Sequence, residues 1–577
     1  METAGFIVGL SGVITVVEKS LERWQSLAAT REFGSDLTAI VAKLSMEYYR
    51  FSSWARISGA LQMPASSKQK PGANHQSVGN PIGAPIEDVV AQVALILEDI
   101  RALTAKYTSS EAFGINSGSG SKTSSRISTP SLALGLNTTL PLSGVQHNPG
   151  VDTFNRETSF RLRFTFSSKP WGSAKKHTLE EKVNQLSYWN DRLENLLPHA
   201  VRDSLTNQGL CAHVLIDEDK NILDTLIEAS KNDNGGVRTH AQLWKEKIDF
   251  SASSDVQPIN IEPYRREASV LVDLIDARSS RCAIALRMYQ ETQSKGGSPM
   301  PVAVEWYSHE NLNWDINNVR LATYRLAELV HLSSKAARPK SLCVLDSICF
   351  IEGEGSLAIV HRLPKNTNIT AGAVSLHNML KRTVSDFRPP DLDKRLHLAQ
   401  QLVSSVYSFG LVRWFHKDFK CHNVVFFRDN SSPPKIIFDT PFVTGFSISR
   451  PDSQGQKSLN VDLDARTIYL HPDLRVRDVK NRPEYHRKYE MYSLGVILFE
   501  IGVWATVDKV IDSTLDADAF KKEVVKRATK DLGFYAGPSY RNIVLSCLKC
   551  ADKDSDMTAS SLDTLYWSVV LEIAKLG

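Results

Sequence analysis

The stretch WFHKDFKCHNVVFF, residues 414 to 427, constrains the fold of this chain more than any other. Four polar residues, His416, Asp418, Lys420 and Asn423, stand just ahead of VVFF, a β-branched and aromatic run that is typical of a buried strand. The pattern predicts a polar loop placed directly before a core strand. It leaves open whether these side chains perform chemistry or only hold the loop against the protein.

The composition is that of an ordinary globular protein. The chain has 577 residues, of which 42% are hydrophobic and 23% charged. At roughly 100–200 residues per domain, two to four domains fit this length. The formal net charge of +4 is small for the length and does not favour a nucleic-acid partner.

The cysteines favour a reducing, intracellular compartment. There are seven, an odd and scattered set, and the two closest, Cys547 and Cys550, have no second Cys or His pair at zinc spacing. We interpret this pair as part of a buried helix face, and we expect no metal site.

Helical patterns dominate the first 200 residues. Apolar residues at helical spacing predict helices over 4–27, 36–61, 86–107 and 177–198. Between the third and fourth lies an insert, about 108–172, whose Gly/Ser/Thr composition predicts disorder. A helical connector is expected over 201–262.

The first predicted helix is apolar but short. Its uncharged run covers about 14 residues, or roughly 21 Å of helix, whereas the hydrocarbon core of a bilayer is about 30 Å thick. Because of this length, we do not expect an integral membrane protein. Since the segment also lacks a basic start, we do not expect a signal peptide.

From about residue 263 the pattern changes to short β-like runs with one helix, NNVRLATYRLAELVHL, followed after 364 by mostly helical sequence. A strand-rich section followed by a helix-rich one predicts a bilobal α+β domain, with a small lobe over about 263–363 and a large lobe over about 364–577.

These last 310 or so residues resemble a protein kinase domain. His416, Lys417, Asp418, Phe419, Lys420 and Asn423 follow the pattern H-R-D-L-K-x-x-N. The resemblance implies that Asp418 is the base, that Asn423 holds a metal ion and that Lys420 neutralises phosphoryl charge. It also puts Glu490 where an aspartate usually anchors the loop backbone, and His471 at the end of the activation segment.

Three other kinase features differ from the family pattern. In VAVEW, Glu305 occupies the position of the lysine that meets ATP, so Glu328, at its usual glutamate partner's position, would face a like charge. In TGFSISR, Gly445 occupies the position of the metal-binding aspartate, and Asp439 would replace it only in a rebuilt loop. The expected phosphate loop, 273–284, contains no glycine.

These departures predict a catalytically impaired pseudokinase that needs no cofactor, because the electrostatic devices of phosphoryl transfer are missing. His416, Asp418 and Asn423 would then serve as internal hydrogen-bond partners of the loop. A divergent active kinase that binds ATP and Mg²⁺ and uses Asp418 as base remains the alternative.

The N-terminal part resembles the HeLo domain of fungal prion-inhibition and cell-death proteins. The resemblance rests on Gly5, Gly9, Gly12 and SLERWQ, on FGSDLTAIVAKLSMEYYRFSSWARISG, and on KPWGSAKKHTLEEKVNQLSYWNDRLENLLP. It covers roughly 1–110 and 155–200. It implies an all-α helical bundle that self-associates and permeabilises membranes.

The sequence therefore predicts a multidomain protein, with a HeLo-like bundle over 1–200 joined to a kinase-like latch or scaffold over 263–577. We expect a cytoplasmic protein that is recruited to an anionic plasma membrane and is regulated by an upstream sensor protein. A basic cluster (Arg156, Arg161, Arg163, Lys169, Lys175 and Lys176) would contact lipid or form a solvated face. A third hypothesis is an interaction scaffold with no membrane action.

Overall fold

The structure is a computed structural model. It describes residues 38–58, 83–104, 132–134, 162–164, 172–215, 220–232, 236–252, 260–274, 284–290, 298–308, 315–335, 338–353, 355–384, 387–452, 467–475, 482–552 and 559–577. The chain divides into two compact units, Met1–Thr139 with Val145–Ala241 and Leu140–Gly144 with Gln242–Gly577. The division lies between residues 241 and 242, inside a helix, whereas the sequence predicted a separate connector over 201–262.

The first unit is mainly helical. Its elements are α1 (Thr38–Ile57), α2 (Gly83–Thr104), β1 (Leu132–Leu134), β2 (Leu162–Phe164), α3 (Ser173–Glu194), α4 (His199–Ser204), a π-helical turn (Leu205–Gly209), α5 (Leu210–Val214), α6 (Lys220–Ala229) and the first residues of α7 (Val237–Ala252). Helix α3 packs against both α1 and α2, and α1 also packs against α6. The predicted helices over 36–61, 86–107 and 177–198 are present; the one over 4–27 lies outside the described residues.

The core of the first unit follows the helical spacing of its apolar residues. The predicted apolar face of α1 is buried at Ile40, Val41, Leu44, Tyr48, Phe51 and Trp54. Within the insert that composition predicts to be disordered, β1 and β2 pair antiparallel, with Ala133 opposite Arg163. Among the helices that the structure describes, none is both long and apolar enough to cross a membrane.

The second unit begins with a small lobe built on one sheet. Its elements are the remainder of α7, β3 (Arg265–Arg266), β4 (Leu271–Leu274), β5 (Ile284–Tyr289), β6 (Met300–Ser308), α8 (Ile316–Ser333), β7 (Asp346–Gly353) and β8 (Ser356–Arg362). The strand order is β3-β7-β8-β6-β5-β4, and α8 packs against β7. Asp315 caps α8 by accepting a 2.7 Å hydrogen bond from the Asn318 N–H.

Alternation along β6 separates two apolar clusters. Val302 and Val304 lie in one cluster, and Ala303 lies in the other with Val425 and Phe427 of the following lobe. Because side chains alternate along a strand, Glu305 shares the face of Ala303 and points toward the large lobe. The sheet register therefore brings a fully buried glutamate to the junction of the two lobes.

The large lobe is mostly helical. Its elements are β9 (Val374–Ser375), α9 (Leu376–Leu380), α10 (Leu392–Leu411), β10 (Trp414–Phe415), β11 (Val424–Phe426), β12 (Phe442–Val443), β13 (Arg450–Pro451), α11 (Arg487–Val503), α12 (Val507–Val510), α13 (Ala517–Ala536), α14 (Pro538–Lys549) and α15 (Ala559–Ala574). Helix α11 is buried on all sides from Tyr489 to Gly502, and α10, α13 and α14 pack around it. A helix that is buried all round is expected at the centre of a lobe.

Candidate functional site

The polar loop 416–423 is fixed at both ends by strand pairing. Strand β10, which enters it, pairs antiparallel with β13, and β11, which leaves it, pairs with both β9 and β12. The loop therefore has a defined position relative to the Gly445 segment, which follows β12.

Asp418 accepts hydrogen bonds from side chains of its own loop. The Lys420 ammonium donates to both carboxylate oxygens, at 2.9 and 2.7 Å. The Asn423 carboxamide donates to the Asp418 backbone oxygen at 2.7 Å and to its Oδ2 at 3.0 Å. Three of the four predicted loop residues thus form one closed hydrogen-bonded group.

His416 is held as a neutral ring. Its Nε2 donates to the Thr444 carbonyl over 2.8 Å, and its Nδ1 accepts the Asp418 backbone N–H over 3.2 Å. Burial lowers the pKa of His416 to about 4. A neutral ring with one donor and one acceptor satisfies both contacts, whereas an imidazolium would lose the acceptor.

Glu490, in the first turn of α11, anchors the backbone of the loop. Its Oε1 accepts the Lys417 backbone N–H at 2.8 Å and the Tyr485 hydroxyl at 2.6 Å. Lys417 has a left-handed backbone, with φ of 68°, and burial lowers its pKa to about 7. The contact is the one that the resemblance implied for Glu490.

Glu305 faces the segment where the resemblance places a metal-binding residue. Its carboxylate accepts a hydrogen bond from the Gly445 backbone N–H. Two residues along the same strand face, the Tyr307 hydroxyl accepts the Phe446 backbone N–H at 3.3 Å. The His361 Nε2 lies 3.7 Å from Glu305 Oε2. Strand β6 therefore closes against the Gly445 segment through its own side chains.

Gly445 has no room for a side chain. Its φ is +91°, a conformation that side chains disfavour, and a Cβ added there would lie 2.1 Å from the Asn423 Nδ2. An aspartate could not occupy this position while Asn423 keeps its contacts with Asp418. Asp439, the alternative metal ligand considered from sequence, is exposed.

Glu328 has different neighbours from those the sequence suggested. It is buried on α8, and its electrostatic neighbours are the cations Lys247 and Arg325 rather than Glu305. Arg325, three residues earlier on the same helix, lies on the same helical face and supplies a countercharge. Burial nevertheless raises the pKa of Glu328 to about 7.

Sequence reasoning missed Tyr307, His361 and Tyr485. Tyr307 was detectable, because its separation of two residues from Glu305 places both on one strand face. His361 stands opposite Ala303 in the β6–β8 ladder, a register that a motif does not contain. Most of the expected phosphate loop, 275–283, lies outside the described residues.

The first unit contains a buried polar cluster that the sequence analysis also missed. Arg50 of α1 donates to Glu194 of α3 at 3.0 and 2.7 Å, and to Glu47 at 3.1 Å. Asn190 donates to Glu47 Oε2 at 2.8 Å. Glu47 and Glu194 are both almost fully buried, so Arg50 is the cation that compensates them across the α1–α3 interface.

Comparison with known proteins supports the N-terminal resemblance. Residues 5–226 match the HeLo family model, described as prion-inhibition and propagation. The match extends past the predicted boundary at 200 and covers helices α1 to α5 and most of α6. No curated protein matches the chain. The second unit is a mixed α/β unit, an architecture compatible with a kinase-like fold.

Proposed function

We propose that this protein is a HeLo-domain effector of the cell-death or incompatibility type, and that its second unit is a non-catalytic, kinase-like regulator. The N-terminal helices act on an anionic membrane after self-association. The second unit restrains them until an upstream protein releases the restraint.

The single observation that carries the non-catalytic role is the hydrogen bond from the Gly445 N–H to Glu305. A kinase needs a cation on this strand and a metal-binding carboxylate at the facing segment. Here the strand carries the carboxylate, and the facing residue donates only a backbone N–H. A buried anion at this position opposes the approach of triphosphate oxygens.

The paired state of the loop supports the same role. Asp418 accepts from Lys420 and Asn423, and His416 is engaged with Thr444. The polar residues that chemistry would require are therefore used to fix the loop. The retained H-x-D-x-K-x-x-N pattern follows from packing the loop against α11 through Glu490.

The effector role is tested by leakage from vesicles that contain phosphatidylserine. We expect the fragment 1–241, checked for helicity by circular dichroism, to release more dye and form larger oligomers than the full chain. Vesicles of phosphatidylcholine alone are the lipid control. A fragment that neither oligomerises nor causes leakage would exclude the membrane role.

The catalytic question is tested with the full chain. We expect ATP and Mg²⁺ to cause no thermal shift and no phosphate transfer to protein substrates. Transfer that Asp418→Asn abolishes would establish the active-kinase alternative. A thermal shift without transfer would instead indicate a nucleotide-sensing regulator.

A further inference from the structure

Three side chains with metal-binding atoms converge beside the loop, at a place that no part of the proposed function uses. Strand β9 pairs antiparallel with β11, with Ser375 opposite Val425. In an antiparallel pair, the residues that follow a position on one strand lie beside the residues that precede its partner on the other strand. His377 follows Ser375, and Cys421 and His422 precede Val425, so the register itself brings the three together.

The two distances from the sulfur are those of a first coordination shell, whereas the His377 and His422 rings are stacked, with centroids 3.6 Å apart and planes inclined by 24°, so one ring has to turn for both nitrogens to face one ion. The Cys421 Sγ lies 3.5 Å from the His377 Nδ1 and 3.8 Å from the His422 Nδ1. All three ligand atoms lie within 4.8 Å of one another. Tetrahedral zinc, with bonds of about 2.3 Å to sulfur and about 2.0–2.1 Å to nitrogen, holds S and N roughly 3.5–3.6 Å apart.

The thiol has an outer partner of the kind that supports a metal ligand. The Tyr469 hydroxyl lies 2.9 Å from the Cys421 Sγ and donates to the Glu500 Oε1 at 2.7 Å. Glu500 is held in turn by the Val507 N–H at 2.9 Å. When Cys421 ionises, the single Tyr469 hydroxyl hydrogen has to turn from Glu500 to the thiolate in order to orient the sulfur. Outer partners of this kind typically contribute roughly 10–100-fold to metal affinity.

The surrounding charges are of both signs. Lys381 and Lys509 act on His377, and Lys420 acts on His422, against the carboxylates Asp508 and Asp418. A cation therefore gains no strong attraction from the surface charges alone. Its affinity has to come from bonds to the three ligand atoms, and above all from the thiolate.

We propose that His377, Cys421 and His422 form a three-ligand site for a zinc-type divalent cation, with water as the fourth ligand. Two neutral imidazoles and one thiolate match the ligand preferences of Zn²⁺. Binding forms one S–Zn bond and breaks the S–H bond of Cys421, so one proton leaves for solvent with each ion. The ion would join the 421–423 turn to α9 and fix the loop that holds Asp418.

The test is a titration of the reduced, chelator-treated full chain with Co²⁺ and then Zn²⁺. We expect one equivalent of Co²⁺ to give a thiolate-to-cobalt charge-transfer band, which Zn²⁺ then bleaches. Calorimetry of Zn²⁺ binding in buffers of different ionisation enthalpy should report one released proton per ion. Zn²⁺ should also raise the Tm of the transition that contains the second unit.

Matched variants make the assignment specific. Cys421→Ser should abolish the band, and His422→Gln should weaken binding by more than the roughly 10–100-fold expected of an outer partner such as Tyr469→Phe. Cys343→Ser, in the same unit, should leave both unchanged. Circular dichroism checks folding, and His422→Gln serves if Cys421→Ser does not fold. The site is excluded if cobalt binds without the band, if Cys343→Ser removes it, or if folded His422→Gln binds like wild type.

Discussion

The carboxylate of Glu305 accepts a hydrogen bond from the backbone N–H of Gly445. The two residues are 140 positions apart, on β6 and on the segment after β12, and the kinase resemblance assigns ATP and metal chemistry to both positions. In this contact Glu305 supplies the acceptor and Gly445 the donor. Substituting either one with the residue that is typical of kinases should therefore break the hydrogen bond.

Glu305→Lys should destabilise the second unit. It removes the acceptor of the Gly445 N–H and places a cation at a fully buried position. An unsatisfied buried donor costs about 1–3 kcal/mol, and a buried unpaired charge costs more. Calorimetry of the full chain should show a lower Tm. Glu305→Gln, which retains an acceptor, should lower it less. Equal Tm values for both variants would contradict the assigned role of this hydrogen bond.

Gly445→Asp should also destabilise the unit rather than create a metal site. The left-handed backbone and the 2.1 Å approach of a Cβ to the Asn423 Nδ2 both disfavour any side chain. We expect a cost of about 1–3 kcal/mol from the backbone alone. Gly445→Ala is the matched control, because it tests the space without the charge. Mg²⁺-dependent stabilisation of the aspartate variant would refute this expectation.

Glu490→Ala should loosen the polar loop. The substitution removes the acceptor of the Lys417 N–H and of the Tyr485 hydroxyl, both buried. We expect a loss of about 2–5 kcal/mol, since two buried donors lose their partner. Hydrogen exchange of loop amides should accelerate in proportion. Tyr485→Phe removes one donor together with its need for a partner, and it should cost less than half as much.

How far the sequence predicted this structure depended on whether a feature was local. The periodicity of α1 was sufficient to place Trp54 inside, whereas the face of Glu305 on β6 became clear only from the two apolar clusters of the structure. The charged neighbours of Glu328 could not be predicted in the same way, because the neighbours of a buried carboxylate depend on how its helix is oriented. The charges that act on it belong to Arg325 and Lys247. Only Arg325, on the same helix, could have been identified from spacing along the chain.

Two clusters were invisible for the same physical reason. Glu47 and Arg50 look like a surface pair at helical spacing until α3 covers them with Glu194. His377 and Cys421 are 44 residues apart and meet only through the β9–β11 register. Spacing along a chain identifies contacts within an element, whereas pairing between elements decides which distant side chains share a site.

Glu328 should give the second unit a measurable pH dependence. Its folded-state pKa is raised to about 7 from an ordinary value of 4.5, so the folded state binds more protons than the unfolded state between those pH values. Its contribution to stability therefore falls as pH rises from about 4.5 to 7, by at most about 1.4 kcal/mol per pH unit. The Tm of Glu328→Gln minus that of wild type should therefore increase as the pH rises from about 4.5 to 7. Glu572→Gln, at a half-buried position on α15, should show no such change. A constant difference between Glu328→Gln and wild type would contradict the assignment.

Arg50→Met should destabilise the interface between α1 and α3 in the first unit. The substitution leaves Glu47 and Glu194 buried without their cation, and breaking a buried pair from one side costs about 3–5 kcal/mol. Hydrogen exchange of α1 and α3 peptides in the full chain should report the loss. Arg192→Met, an exposed position on α3, should cost less than about 1 kcal/mol. Adding Glu47→Gln and Glu194→Gln to Arg50→Met should recover part of the stability, because the uncompensated charges are removed. If Arg50→Met costs no more than Arg192→Met, the cluster does not hold α1 to α3.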